Sequence, residues 1–157
     1  MRLYLVQHGA AVPEQEDPAR PLSAAGRRDV ETVARLLDGA GVRVARVVHS
    51  GKLRAQQTAE LLAACMATDP VPETTAGLNP NDPVEPVARA AANWAGDTVL
   101  VSHLPFMAKL VARLVLGDEA RPVVVYTPGT VVCLEQVDEV GWAIAWMVRP
   151  ELLADAP

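Results

Sequence analysis

Three histidines and one arginine carry the chemistry this chain can do. Its only histidines are His8, His49 and His103, and each closes a short apolar, β-prone run. Arg2-Leu3-Tyr4-Leu5-Val6 leads to Gln7-His8-Gly9, Val42 to His49 leads to Ser50, and Thr98-Val99-Leu100-Val101 leads to Ser102-His103. In open α/β sheets, ligands bind outside the carboxyl ends of strands, so all three stand where chemistry is expected. Random placement of three histidines would rarely do this. A neutral imidazole can attack phosphorus in line with a leaving group, giving phosphohistidine that water then hydrolyses. Such a site needs cations and N–H groups around the phosphoryl oxygens. Arg54, just beyond the second run, can offer a bidentate fork. His103 adds a further contact, and the amides of Gly9 and Leu104 are candidates for more. Zinc is the competing use of three histidines, but no i, i+4 pair and no carboxylate beside a histidine supports it.

The elements that must position these groups follow from pattern. A run as short as residues 2–6 reads as a buried strand, because no helical period can develop in it. Gly9 then allows a sharp turn. Ala10 to Arg20, with Pro13, Pro18, Glu14, Glu16 and Asp17, reads as a polar loop. Ser23 is a fitting N-cap for a helix whose apolar stripe is Val30, Val33, Ala34, Leu36 and Leu37, ending at Gly39 and Gly41. Val42 to His49 reads as a strand, about Leu53 to Met66 as a helix, and Val84 to Trp94 as a short helix. Between the two helices, five prolines break Thr68 to Pro86 into loop, with a short strand near Val71 to Thr75. Thr98 to Val101 is a third strand, and Pro105 falls near the first turn of a helix reaching about Leu116. Thr130–Val137 and Trp142–Val148 read as strands of a hairpin turned at Asp138-Glu139-Val140-Gly141. Strands alternating with helices predict an α/β fold: a three-layer α/β/α sandwich, mostly parallel, with an antiparallel edge.

The 157 residues are expected to form one domain, 1–157, with a core built of Ala, Val and Leu, since half the chain is apolar and only 4% aromatic. A net charge of -5 without a Lys/Arg cluster argues against nucleic acid as a partner. Cys65 and Cys133 lack metal-ligand spacing and read as buried reduced thiols, which suits a reducing cytosol. No signal-peptide pattern and no membrane-length apolar run is present, so a cytoplasmic protein away from the membrane is expected. Nothing in the sequence demands a cofactor or a metal.

Four segments, in order, resemble one known family. Gln7-His8-Gly9 is similar to the Arg-His-Gly signature of the histidine phosphatase superfamily, which includes the cofactor-dependent phosphoglycerate mutases. Pro21-Leu22-Ser23-Ala24-Ala25-Gly26 resembles its L-[ST]-x-x-G helix opening, and Ser50 to Ala59 its S-x-x-x-R-A-x-Q-T-A segment. Val101-Ser102-His103-Leu104-Pro105 resembles its second-histidine motif. The short length and the missing helical insertion, without any large lid, are most similar to the SixA-type phosphohistidine phosphatases. The resemblance implies that His8 is the nucleophile, Arg54 a phosphate clamp and His103 the second pocket histidine. Gln7, Gly9, Ser50 and Leu104 would touch the substrate. A helix N-cap is an equally good reading of Ser50. Arg20 and Lys52 are nearby cations that fit a solvated surface role, and His49 would stand at the rim.

The chain departs from the family pattern twice. Gln7 stands where the signature has Arg, which loses a charge and a fork. The loss of such a contact costs about 2–4 kcal/mol of transition-state stabilisation, partly recoverable from Arg20 or Lys52. The second departure is the acid that protonates an alcohol leaving group. It has no clear counterpart at Leu78 to Asp82, although Asp82 is near, and Glu14, Glu16 and Asp17 read as surface carboxylates. A phosphate ester expels an alkoxide that needs a proton, whereas phosphohistidine expels an imidazole whose conjugate acid titrates near neutrality. The expected activity is therefore metal-independent dephosphorylation of phosphohistidine on a protein partner. The alternatives are a degenerate phosphate-binding module and a small-molecule phosphomonoesterase.

Overall fold

The structure, a computed structural model, describes residues 1–69, 71–139 and 141–154. In chain order its elements are β1 (Arg2–Gln7), α1 (Ala24–Gly39), β2 (Arg46–His49), α2 (Leu53–Met66), β3 (Glu73–Thr74) and α3 (Glu85–Ala91). These are followed by β4 (Thr98–Ser102), α4 (Phe106–Leu116), β5 (Val131–Gln136), β6 (Trp142–Val148) and a closing 3-10 turn at Pro150–Leu153. The strands form one sheet in the order β3-β2-β4-β1-β5-β6. The first four are parallel, and β5 and β6 run antiparallel at the far edge.

Alternation along each strand feeds two cores. Leu3 and Leu5 of β1 join Val48, Leu100, Val132 and Leu134 under α3 and α4. Tyr4 and Val6 join Val47, Val99, Val101, Val131 and Cys133 under α1 and α2. A strand buried on both faces reads as a continuous apolar run, which is what residues 3–6 and 99–101 are. The expected three-layer sandwich with a mostly parallel sheet and an antiparallel edge is the fold observed.

The neighbours β1 and β4 send their following helices to opposite faces, α1 to one and α4 to the other. Where successive connections diverge in this way, a crevice opens at the carboxyl ends of the strands. The turn after β1 is wedged against α1. A Cβ on Gly9 would lie 2.7 Å from Val30 Cγ2, and one on Gly26 would lie 2.1 Å from the Ala10 carbonyl oxygen. Only glycine lets these two backbones approach so closely. Ser23 caps α1 as expected, accepting from the Gly26 amide at 3.0 Å.

Several boundaries shift. β2 begins at Arg46 rather than Val42, because the Val44 backbone pairs with Ala67 at the end of α2 and the Ala45 amide reaches Asp97. α3 is confined to Glu85–Ala91, and Pro105 sits just before α4, at its N-cap. Cys133 is buried, but Cys65 lies on the flank of the buried stripe of α2 and is only partly covered. Of the expected hairpin turn, Val140 lies outside the described residues, and the Val137 amide donates to the Gly141 carbonyl. Among the described residues, no helix is long and apolar enough to cross a membrane.

Candidate active site

Strand register assembles the site. Gln7 lies level with Ser102 across the β1–β4 ladder, so His8 and His103 leave the sheet side by side. Their ring centroids are 4.9 Å apart, tilted by 56°. On the other side of β4, His49 lies level with Val101, which brings Ser50 beside His103. Ser50 Oγ and His103 Nε2 are 2.6 Å apart. α2 starts three residues later, and its first turn carries Arg54 to His8.

The hydrogen bonds of His8 define its tautomer. Its Nδ1 lies 2.7 Å from the Gly9 carbonyl oxygen, a partner that can only accept, so Nδ1 carries the proton. Arg54 Nε donates to Nε2 at 3.3 Å, so Nε2 presents a lone pair. Burial is the main reason that the pKa of His8 falls from 6.5 to about 4, and the charges of Arg54 and Arg20 lower it further, although the Gly9 contact opposes the fall. The ring is thus a neutral imidazole whose unprotonated nitrogen faces a guanidinium. That arrangement suits attack on an electrophile carrying anionic oxygens.

His103 is 2% exposed, and its Nδ1 is buried without a partner. Burial, followed by repulsion from His8 in its protonated form and from Arg54, Lys52 and Arg20, drives its pKa down to about 3. An orphaned acceptor costs less than an orphaned N–H. His103 therefore carries its proton on Nε2 and donates it to Ser50, leaving the Ser50 hydroxyl hydrogen free to point elsewhere. Ser50 is not the N-cap of α2: Lys52 holds that position, with its amide 3.4 Å from Ser50 Oγ.

Gln7 falls on the Leu3 and Leu5 face of β1, 8% exposed, with Oε1 buried and unpaired. The amide of Gly9 donates to Thr58 Oγ1 at 3.0 Å, so it is already engaged, contrary to the expectation that it lines the pocket. Leu104, 39% exposed, stands beside His103 in a cis peptide with Pro105. His49, 3% exposed, accepts from the Gly51 amide through Nδ1 and so shapes the turn rather than reaching His8. Asp82 turns back on its own loop, where Oδ2 accepts from the Asn79 amide at 2.9 Å. Among the described residues, the charged groups that bear on His8, Arg54 and His103 are cationic. Among the described residues, no three His, Cys, Asp or Glu side chains converge as a metal site.

Two supports escaped the sequence reading. Thr58 Oγ1 accepts from Gly9 and donates to the Arg54 carbonyl at 2.8 Å, joining the nucleophile turn to the helix that delivers the cation. Gln57 Oε1 accepts from the Leu22 amide at 2.8 Å, joining the same helix to the loop before α1. Both are named positions of the S-x-x-x-R-A-x-Q-T-A segment, and their spacing from Arg54, i+3 and i+4, puts them on one helix face with it.

Relatives show which family builds this site. Residues 3–79 match the family model described as the histidine phosphatase superfamily (branch 1). The phosphohistidine phosphatase SixA of Escherichia coli (strain K12) is 35% identical over 123 residues, 75% of this chain and 76% of that protein. The chain belongs to the histidine phosphatase superfamily. The activity that goes with membership is phosphatase chemistry on a histidine nucleophile. The solved structure of the protein histidine phosphatase SixA complexed with tungstate superposes with a TM-score of 0.85 at 26% identity, covering 98% of this chain and 99% of that one. The α-ribazole phosphatase from Shigella flexneri shares the histidine phosphatase fold at a TM-score of 0.73 and 18% identity, covering 96% and 97%. The family match contains His8 and Arg54 but stops before His103, which the β1–β4 register brings to them.

Proposed function

We propose that the chain is a metal-independent phosphohistidine phosphatase that works through His8 on a protein partner. The observation carrying this reading is the unprotonated Nε2 of a neutral His8, held against Arg54, in a pocket whose charged neighbours among the described residues are cations. In the first step Arg54 Nε passes from Nε2 to the phosphoryl oxygens, and the released Nε2 lone pair forms a bond to phosphorus. The P–N bond of the substrate breaks, and its electron pair stays on the departing imidazole. Arg54 offsets the charge on the phosphoryl oxygens, and the Gly9 carbonyl holds the Nδ1 proton of what becomes a cationic phosphoimidazole. In the second step water adds to phosphorus, the bond to Nε2 breaks, and phosphate leaves. An imidazole leaving group needs little help from an acid, which fits a site without a nearby carboxylate. SixA carries the name phosphohistidine phosphatase, and a SixA structure holds tungstate, a tetrahedral oxyanion shaped like phosphate.

The deciding experiment supplies a phosphohistidine-carrying phosphotransfer domain, and separately p-nitrophenyl phosphate, in the presence of EDTA. Phosphate release from the first substrate, lost by about a thousandfold or more in His8→Ala, is expected. Release that survives His8→Ala, or that EDTA abolishes, would sink this reading.

One observation favours a second reading. The buried Oε1 of Gln7 lacks a partner where the family signature has a guanidinium, as expected of a phosphate-binding module with weakened catalysis. Phosphate binding without release from either substrate would establish that module instead.

A further inference from the structure

With Gln7 in place of the signature arginine, Arg54 is the one guanidinium so far assigned to the phosphoryl group. Resting on the phosphatase reading, we infer that Arg20 supplies the second arm of the phosphate clamp, presented to His8 by the loop between β1 and α1. That loop is held closed across its base. The Val12 amide donates to the Pro21 carbonyl at 2.9 Å, the Ser23 amide to the Ala10 carbonyl at 2.9 Å, and Ala11 bridges Leu22. Arg20 is thereby drawn against Val12, four residues beyond His8, and its Nε donates to the Val12 carbonyl at 3.2 Å.

This contact uses one of five donors and leaves the four Nη donors for a ligand. Among the described residues no carboxylate pairs with Arg20, although Asp17 stands in the same turn and spends its Oδ1 on the Ala19 amide. The loop is also fastened to the helix that delivers Arg54. Gln57, on the same face of α2, holds the Leu22 amide two residues beyond Arg20. The two guanidinium groups are therefore fixed by one helix, one directly and one through its loop.

Backbone strain points the same way. Arg20 adopts φ +48°, the left-handed region that a side chain other than glycine enters at a cost. Burial is the main cause that lowers the pKa of His8, Arg54 and His103, and the charge of Arg20 adds to it at each. Two like charges without an intervening carboxylate repel each other, and a bound dianion reverses the sign of that interaction. The second cation of the clamp has thus moved from the strand end to the loop, which frees position 7 to be an uncharged buried amide.

The test is the affinity for inorganic phosphate, measured by calorimetry on wild type, Arg20→Gln, Arg20→Lys, Gln7→Arg and the double variant Gln7→Arg/Arg20→Gln. Arg20→Gln should weaken binding about tenfold or more, as expected for one charge-assisted contact. Arg20→Lys should fall between it and wild type, because the charge stays and the fork is lost. The double variant should regain most of the loss, a recovery that a purely structural role of Arg20 would not give. Equal binding by wild type and Arg20→Gln, or a double variant as weak as Arg20→Gln, overturns the inference and leaves the phosphatase reading standing. If wild type binds no phosphate at all, both fall together. Thermal unfolding of each variant shows that the fold persists, and if Arg20→Gln unfolds, the Arg20→Lys comparison with wild type decides.

Discussion

His8 and His103 are neutral at pH 7 because burial removes the water that would solvate an imidazolium, and because the charges around them are positive. Between pH 6.5 and about 4 the unfolded chain takes up a proton at His8 that the fold refuses. Stability held above pH 6.5 is therefore lost as pH falls through that window. Ring 15N spectra should show His8 and His103 still neutral at pH 5, with the free energy of unfolding lower there than at pH 7.5. An imidazolium signal for His8 at pH 6 would contradict this assignment. At the residue scale, His8, Arg54 and His103 were legible from type and position, because a polar group closing an apolar run stands out. The tautomer of His8, the partner of Ser50 and the burial of Gln7 were not. The first depends on how the backbone turns at Gly9 and the other two on what another strand or helix brings alongside, and residue type encodes neither. Arg20 was visible only as a nearby cation, since its reach into the pocket depends on how the loop closes.

α2 does more positioning than any other element. Arg54, Gln57 and Thr58 share one face and grip the nucleophile ring, the loop before α1 and the Gly9 amide. Thr58 is fully buried, so Thr58→Val keeps the shape and strands the Gly9 N–H, while the Arg54 carbonyl keeps its helical N–H donor. That substitution should cost about 1–3 kcal/mol in denaturant unfolding. It should also lower kcat more than phosphate affinity, because the nucleophile turn loses its tie to the helix. Unchanged stability and kcat would mean that the tie is incidental. The bounds of α2 and β6 match their sequence patterns, because an apolar stripe at period 3.6 and a continuous β-prone run are strong signals. β2 came out shorter because its first residues pair with the end of α2 and with Asp97, contacts that lie far away in sequence.

For the molecule as a whole, the pattern dictated layers but not neighbours. Alternating strands and helices imply a parallel sheet between helical layers. Nothing local says that β4 inserts between β2 and β1, yet that insertion sets His103 between His8 and Ser50. Burial on both faces in residues 3–6 and 99–101 made these runs recognisable as central strands without giving their order. A further consequence lies in the backing of His8, which leans on the Gly9 carbonyl rather than on a carboxylate. Donor and acceptor of the phosphoryl group are then both imidazoles, with His8 the weaker base because it is buried. On the proposed substrate, the bond broken and the bond made in the first step are the same kind, so the exchange runs both ways. Radiolabelled phosphoryl groups should scramble between phosphorylated and unphosphorylated partner molecules faster than label appears as free phosphate, wherever water reaches phospho-His8 slowly. The absence of scrambling at high partner concentration would mean that water captures the intermediate first. With scrambling, the protein equilibrates a phosphoryl pool as well as draining it.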